Sequence, residues 1–166
     1  LSSSSAASDV YKRQELFKLT KKYNAGLFLM HKRGTPKEMQ KKLNPRANMV
    51  KEFDKFIEKR LKILDKMKFN LKKVWFDPGI GFGKTLNQNL QLMRSLSKYS
   101  YKNLQILLGS SRKSWINFID PSNADQRIGG SLASITHALQ QNVNTFRIHD
   151  VQETNQMIKV LKALNK

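Results

Sequence analysis

The stretch KVWFDPGIGFGKT, Lys73 to Thr85, joins an apolar run to three alternate glycines and then a lysine and threonine. The first half reads as a buried strand, KVWFD, ending in a carboxylate. The second half, DPGIGFGKT from Asp77, has the look of a phosphate cradle, and its spacing decides whether it is one. A Walker loop requires a glycine five positions before the glycine–lysine pair, and that position is Pro78. The dinucleotide fingerprint requires a third glycine where Lys84 stands. Neither nucleotide reading survives. What remains is a carboxylate at a strand end, followed by small residues that let a flat ligand approach the backbone. Such a carboxylate accepts two parallel hydrogen bonds from an amidine- or guanidine-like edge. Asp77 as a plain helix cap in a tight turn is the competing reading.

The same organisation recurs on either side. Upstream, residues 15–23 read as the end of a helix, then GLFLMH as a short strand. Met49 to Lys68 follows as the clearest helix, with Met49, Phe53, Phe56, Ile57, Leu61, Leu64 and Met67 at 3.6-residue spacing. Downstream, Asn87 is a candidate cap for a helix whose inner face is Leu90, Met93 and Leu96. LQILLG is a third strand, 124–141 a helix despite Gly129 and Gly130, and NTFRIHD a fourth strand. Residues 151–166 close the chain as a helix with Met157, Ile158, Leu161 and Leu164 on one face. Apolar strands alternating with helices predict an α/β protein with a parallel sheet covered on both faces. Four strand–helix units are half of a TIM (β/α)8 barrel, whose usual length is about 250 residues. The absence of an initiator Met makes it the C-terminal half in this reading.

Composition narrows the classes. The chain has 166 residues and no cysteine, which excludes disulfides and thiolate chemistry and is consistent with a reducing cytoplasm. Lys and Arg number 31 against 12 Asp and Glu, a net charge of +19 that would attract nucleic acid, anionic lipid or phosphorylated metabolites. The basic residues are spread along helix faces, so a solvated lysine-rich surface is the plainer reading. No apolar run reaches the length of a membrane span. Residues 1–14, LSSSSAASDVYKRQ, have a Ser/Ala-rich head without a signal-peptide core, and read as a non-native or disordered leader to a domain spanning 15–166.

Every residue with chemistry to offer falls at a predicted strand's carboxyl end, where ligands sit in parallel α/β folds. LMHKRGTP places Met30 and His31 before a turn, with Met30 a possible apolar wall for a flat ring; neither His31 nor His137 has a metal-spaced partner. GSSRKS, 109–114, brings Arg112 and Lys113 beside small hydroxyl residues as an anion or carbonyl site. In RIHD, Arg147 and His149 are two apart and on a strand would point the same way, toward a phosphate or pyrophosphate.

In this order, LMHKRGTPKEMQ, FDPGIGFGKT, LLGSSRKSWI and FRIHDVQET closely resemble dihydropteroate synthase, from Glu15 to Lys166, over the fifth to eighth strands of that family's TIM barrel. The resemblance implies condensation of 6-hydroxymethyl-7,8-dihydropterin pyrophosphate with p-aminobenzoate, giving 7,8-dihydropteroate and pyrophosphate for folate synthesis. It implies that Asp77 binds the pterin's amino and ring N–H edge and Lys113 its carbonyl side. Phe82 and Met30 would border the ring, with Gly109 letting it lie close. Ser111 and Lys113 would lie near the aminobenzoate, with Arg112 in the same binding set, and Arg147 and His149 would hold the pyrophosphate. It further implies Mg2+, with its protein ligand outside these 166 residues, a homodimeric full-length form, a cytoplasmic location, and a chain inactive by itself. Asn142 stands where the family commonly has glycine. Two alternatives stay open: a basic nucleic-acid-binding module, which would bind arbitrary DNA in a salt-dependent way, and a pterin-dependent methyltransferase domain, which would prefer methyltetrahydrofolate.

Overall fold

The computed structural model describes residues 15–35, 38–39, 41, 43–100 and 102–165, without the side chain of Ser100. The leader 1–14, Pro36 and Lys166 lie outside the described residues. Four short strands form one parallel sheet: β1 (Leu27–Met30), β2 (Val74–Asp77), β3 (Gln105–Leu108) and β4 (Thr145–Phe146). Their spatial order is the chain order, β1-β2-β3-β4, with Leu27 opposite Val74, Trp75 opposite Gln105 and Leu107 opposite Thr145. The helices are α1 (residues 15–22), α2 (Met49–Lys66), α3 (Leu86–Arg94), α4 (Ser97–Ser100), α5 (Ser114–Asn117), α6 (Ile128–Gln140) and α7 (Val151–Leu164).

This strand order corrects one expectation. Right-handed crossovers that always step to the next neighbour put every helix on the same side of the sheet. Leu27, Leu29, Val74, Phe76, Ile106 and Leu108 point to that side and are buried. Among the described residues the other face is only partly covered, with Asp77 and Leu107 buried there. Phe28 is 53% exposed and stacks 5.0 Å from the half-buried Trp75, whose Nε1 donates to Thr145 Oγ1 across β3 at 3.2 Å. A sheet with helices outside and a concave row of side chains inside is barrel geometry rather than a doubly wound sandwich.

Local signals explain where the helices start. Asn48 caps α2 by accepting from Lys51 N at 3.0 Å, and the α2 stripe buries Met49, Phe53, Ile57 and Leu64. Burying each such side chain contributes about 1.5–3 kcal/mol. The cap of α3 is Thr85, not Asn87: Thr85 Oγ1 accepts from Gln88 N while Gln88 Oε1 accepts from Thr85 N, a reciprocal capping box. Gln88 Nε2 also donates to the carbonyls of Asn44 and Ala47, tying the chain before α2 to α3. The expected helix over 124–141 divides into a 3-10 turn, Asp125–Arg127, and α6. On α7 only Thr154 is buried, and Leu164 is 78% exposed, so its apolar stripe is not a core face here.

Candidate active site

β2 ends in Asp77, whose side chain is 2% exposed on the concave side. Its Oδ1 accepts from Gly79 N at 2.7 Å, and Arg147 Nη2 lies 3.4 Å from its Oδ2. Burial pushes the Asp77 carboxyl above the usual carboxylate range, opposed by the Gly79 N–H and by Lys113, Arg147 and Lys84. Lys113 approaches from the turn before α5. Its Nζ donates to Ile80 O at 2.6 Å and stands 4.5 Å from the centre of the Phe82 ring. Burial lowers Lys113 to about 8, despite the pull of Asp77 in the other direction. An ammonium near neutrality, a buried carboxylate and an aromatic face thus share one small space. That set suits a flat heterocycle with N–H donors on one edge and acceptors on the other.

Gly109 closes the floor. A Cβ there would stand 3.8 Å from Asp77 Oδ2, 3.8 Å from Arg147 Cβ and 4.0 Å from Lys113 Nζ. The missing side chain leaves free the volume between the three charged residues, as expected of a glycine under a ring. The glycines of the loop itself behave differently. A Cβ on Gly79 would meet His31 O at 1.9 Å, and one on Gly83 would meet Arg33 O at 2.5 Å. These two therefore make room for the backbone leaving β1, not for a ligand. Of the loop's three glycines only Gly81 turns toward Lys113, whose Cδ would lie 3.5 Å from its Cβ.

Arg147 and His149 follow a strand that is shorter than expected. β4 stops at Phe146, although Arg147 N still donates to Leu108 O, so strand alternation does not orient the pair. Tertiary partners do so instead. Arg147 leans to Asp77 with its side chain 62% exposed, and His149 Nδ1 lies 3.1 Å from Ser111 Oγ. Both remain at the carboxyl end of the sheet with a free approach from solvent. Met30 sits opposite Asp77 in the β1–β2 register, hence on the same face.

Arg112 departs from its expected role. Its guanidinium forms a two-pronged ion pair with Asp150, with Nε donating to Oδ2 at 3.0 Å and Nη2 to Oδ1. Its N–H donates to Ser131 Oγ and its carbonyl accepts from Arg127 Nη1, while its own φ is +55°. Arg112 thus clamps the turn that carries Ser111 and Lys113 onto α6 and the start of α7, and is not left open as an anion site. Sequence reading passed over Asp150 and Lys84. A carboxylate directly before a helix, and the lysine of a glycine loop that fails as a phosphate loop, were the available signals.

No group of three or more His, Asp or Glu able to hold a metal ion occurs among the described residues. The buried carboxylate of the site is ringed by cations, so these residues do not fit magnesium. Among the described residues no helix is long and apolar enough to cross a membrane.

A buried acid at the second strand's end, a lysine over an aromatic ring and an exposed Arg–x–His pair, set on half of a (β/α)8 arrangement, define the class. The family profile "Pterin binding enzyme" matches residues 3–149, and the chain belongs to that family. Within it, the similarity is to dihydropteroate synthases. The bifunctional dihydropteroate synthase/dihydropteroate reductase of Helicobacter pylori is 34% identical over 152 residues, 92% of this chain and 39% of the relative. The Escherichia coli dihydropteroate synthase is 35% identical over 136 residues, 81% and 48% of the two chains. Among solved structures, the Yersinia pestis dihydropteroate synthase in complex with a sulfonamide drug superposes with a TM-score of 0.82 at 30% identity. That match covers 89% of this chain and 54% of the other. The Thermus thermophilus dihydropteroate synthase gives 0.79 at 29% identity, covering 89% and 59%. The chain spans about half the length of the relatives it matches.

Proposed function

We propose that this chain carries the pterin-reading and pyrophosphate-facing part of a dihydropteroate synthase, acting in folate biosynthesis. The observation that supports it most is Asp77: a buried carboxylate with one oxygen steadied by Gly79 N–H, beside Lys113 and under the clearance of Gly109. In this reading the pterin's amino group and ring N–H donate to Asp77, and Lys113 donates to the carbonyl and ring-nitrogen side. Phe82 and Met30 bound the ring. Arg147 and His149 meet the pyrophosphate. The C–O bond to pyrophosphate breaks first, and the Arg147 guanidinium together with hydrogen bonding from His149 stabilises the departing charge. The p-aminobenzoate nitrogen, held near Ser111 and Lys113, then forms the new C–N bond and loses a proton. The protein's contribution is placement and electrostatics.

The same reading carries a homodimeric full-length form, a cytoplasmic location, magnesium held by groups outside these residues, and no turnover by this chain alone. Calorimetric titration with 6-hydroxymethyl-7,8-dihydropterin and with its pyrophosphate tests the assignment. Arg147 also faces Asp77, so Arg147→Ala should weaken both ligands, but the pyrophosphate ester by about tenfold or more beyond the free alcohol, as loss of a charged contact does. Equal weakening of both ligands, or tighter binding of methyltetrahydrofolate than of either, would overturn it.

A further inference from the structure

The GKT lysine has no part in the reading above, yet it is among the most buried charged side chains described. Lys84 is 3% exposed. Its Nζ donates to His31 O at 3.1 Å, Gly79 O at 2.9 Å and Phe82 O at 3.1 Å. An ammonium has three N–H donors, and all three are used. Nothing is left for a phosphate, which closes the question raised by its sequence context. The acceptors come from two places, the end of β1 and both sides of the glycine loop. The loop residues it grips are Gly79, whose N–H steadies Asp77, and Phe82, whose ring faces Lys113.

We propose that Lys84 is a positioning residue of the pterin site: it pins the glycine loop to the end of β1 and places a buried positive charge behind that loop, facing the Asp77 carboxylate. The inference rests on the assignment of Asp77 as the pterin reader. A lysine is rarely so buried unless its charge is matched, and here the matching groups are carbonyl dipoles and two carboxylates, Asp77 and Glu52. Facing Lys84 are Asp77 from β2, Lys113 before α5, Arg33 and His31 after β1, and Glu52 on α2. Asp77 in turn faces Lys113, Arg147 and Lys84. Burial disfavours the ionised acid, so each of the three cations contributes to holding it as an acceptor. Lys113 and Arg147 border the ligand space, whereas Lys84 stands behind the loop, where it can act without touching the ligand.

The test follows the Asp77 carboxyl by carbon NMR through an acid titration, together with dihydropterin binding at pH 7, in the wild-type chain, Lys84→Gln and Lys84→Arg. In Lys84→Gln the Asp77 titration should move up, and affinity should fall about tenfold. Lys84→Arg should keep the titration near its wild-type position. An unmoved Asp77 titration in a folded Lys84→Gln chain overturns the proposal, since a filler of the loop would leave it unchanged. If the wild-type chain binds no dihydropterin but the titration still moves, the electrostatic role stands and the pterin assignment fails. Should Lys84→Gln not fold, the wild-type Lys84 ammonium signal decides: slow proton exchange supports the three-carbonyl post, and free exchange with water overturns it.

Discussion

Gly79→Ala is the substitution whose cost follows most directly from the loop geometry. Gly79 has φ of +65°, and a methyl there would lie 1.9 Å from His31 O. The left-handed backbone alone costs about 1–2 kcal/mol for an L-residue. Relieving the overlap requires the His31 carbonyl to move, and that carbonyl accepts from the buried Lys84 ammonium. Losing a hydrogen bond to a charged group costs about 1.5–3 kcal/mol. Together these give about 2.5–5 kcal/mol, a large part of the stability of an ordinary domain, about 5–15 kcal/mol. Gly129→Ala is the internal control. Nothing lies within 4 Å of a Cβ at Gly129, at the start of α6, so alanine there should be neutral or stabilising by up to about 1 kcal/mol. Urea unfolding of the three chains, followed by Trp75 and Trp115 fluorescence and by circular dichroism, measures both. If Gly79→Ala shifts stability by less than about 1 kcal/mol, the loop is not packed on β1 as described, and the role assigned to its glycines is wrong.

Two further outcomes are expected. Arg112 holds the Asp150 carboxyl below its usual range, so that pair stabilises the fold above the ordinary aspartate value and is lost as pH falls through the depressed one. Wild type should therefore lose stability across that acid window more steeply than Arg112→Ala; parallel acid profiles would argue against the clamp. The +19 charge should give only weak, sequence-indifferent DNA binding that disappears between about 50 and about 200 mM salt. Retention of tight binding at the upper end would restore the nucleic-acid reading.

Much of this architecture is legible in the chain itself. The strand at Lys73 to Asp77 and the α2 stripe follow from apolar period and caps, and the carboxyl-end position of Asp77, Lys113, Arg147 and His149 follows from strand–helix alternation. What escaped was set by tertiary contact. The side of the sheet that helices cover depends on strand order, which no local pattern carries. Thr85 outcompetes Asn87 as a cap because Gln88 lies three residues on to complete the box. Gly79 and Gly83 resemble ligand clearance in one dimension, but the carbonyls they admit belong to His31 and Arg33, roughly fifty residues upstream. Arg112 looks like an anion ligand until Asp150 is brought beside it by the crossover through α6.

The most direct test of the central claim is calorimetric titration of the chain and of Asp77→Asn with 6-hydroxymethyl-7,8-dihydropterin at pH 7. Burial raises the Asp77 carboxyl, so the ionised side chain costs the fold stability once pH exceeds its folded value. The amide removes that cost and also removes the carboxylate facing the buried Lys84 and Lys113, so the melting temperature is measured alongside to show that the variant is folded. An amide also replaces an acceptor oxygen with a donor, so ring N–H groups meet N–H, and binding should fall at least about a hundredfold, the scale of losing a charged hydrogen-bond pair. Undiminished dihydropterin binding by a folded Asp77→Asn chain would contradict the claim that this carboxylate reads the pterin edge.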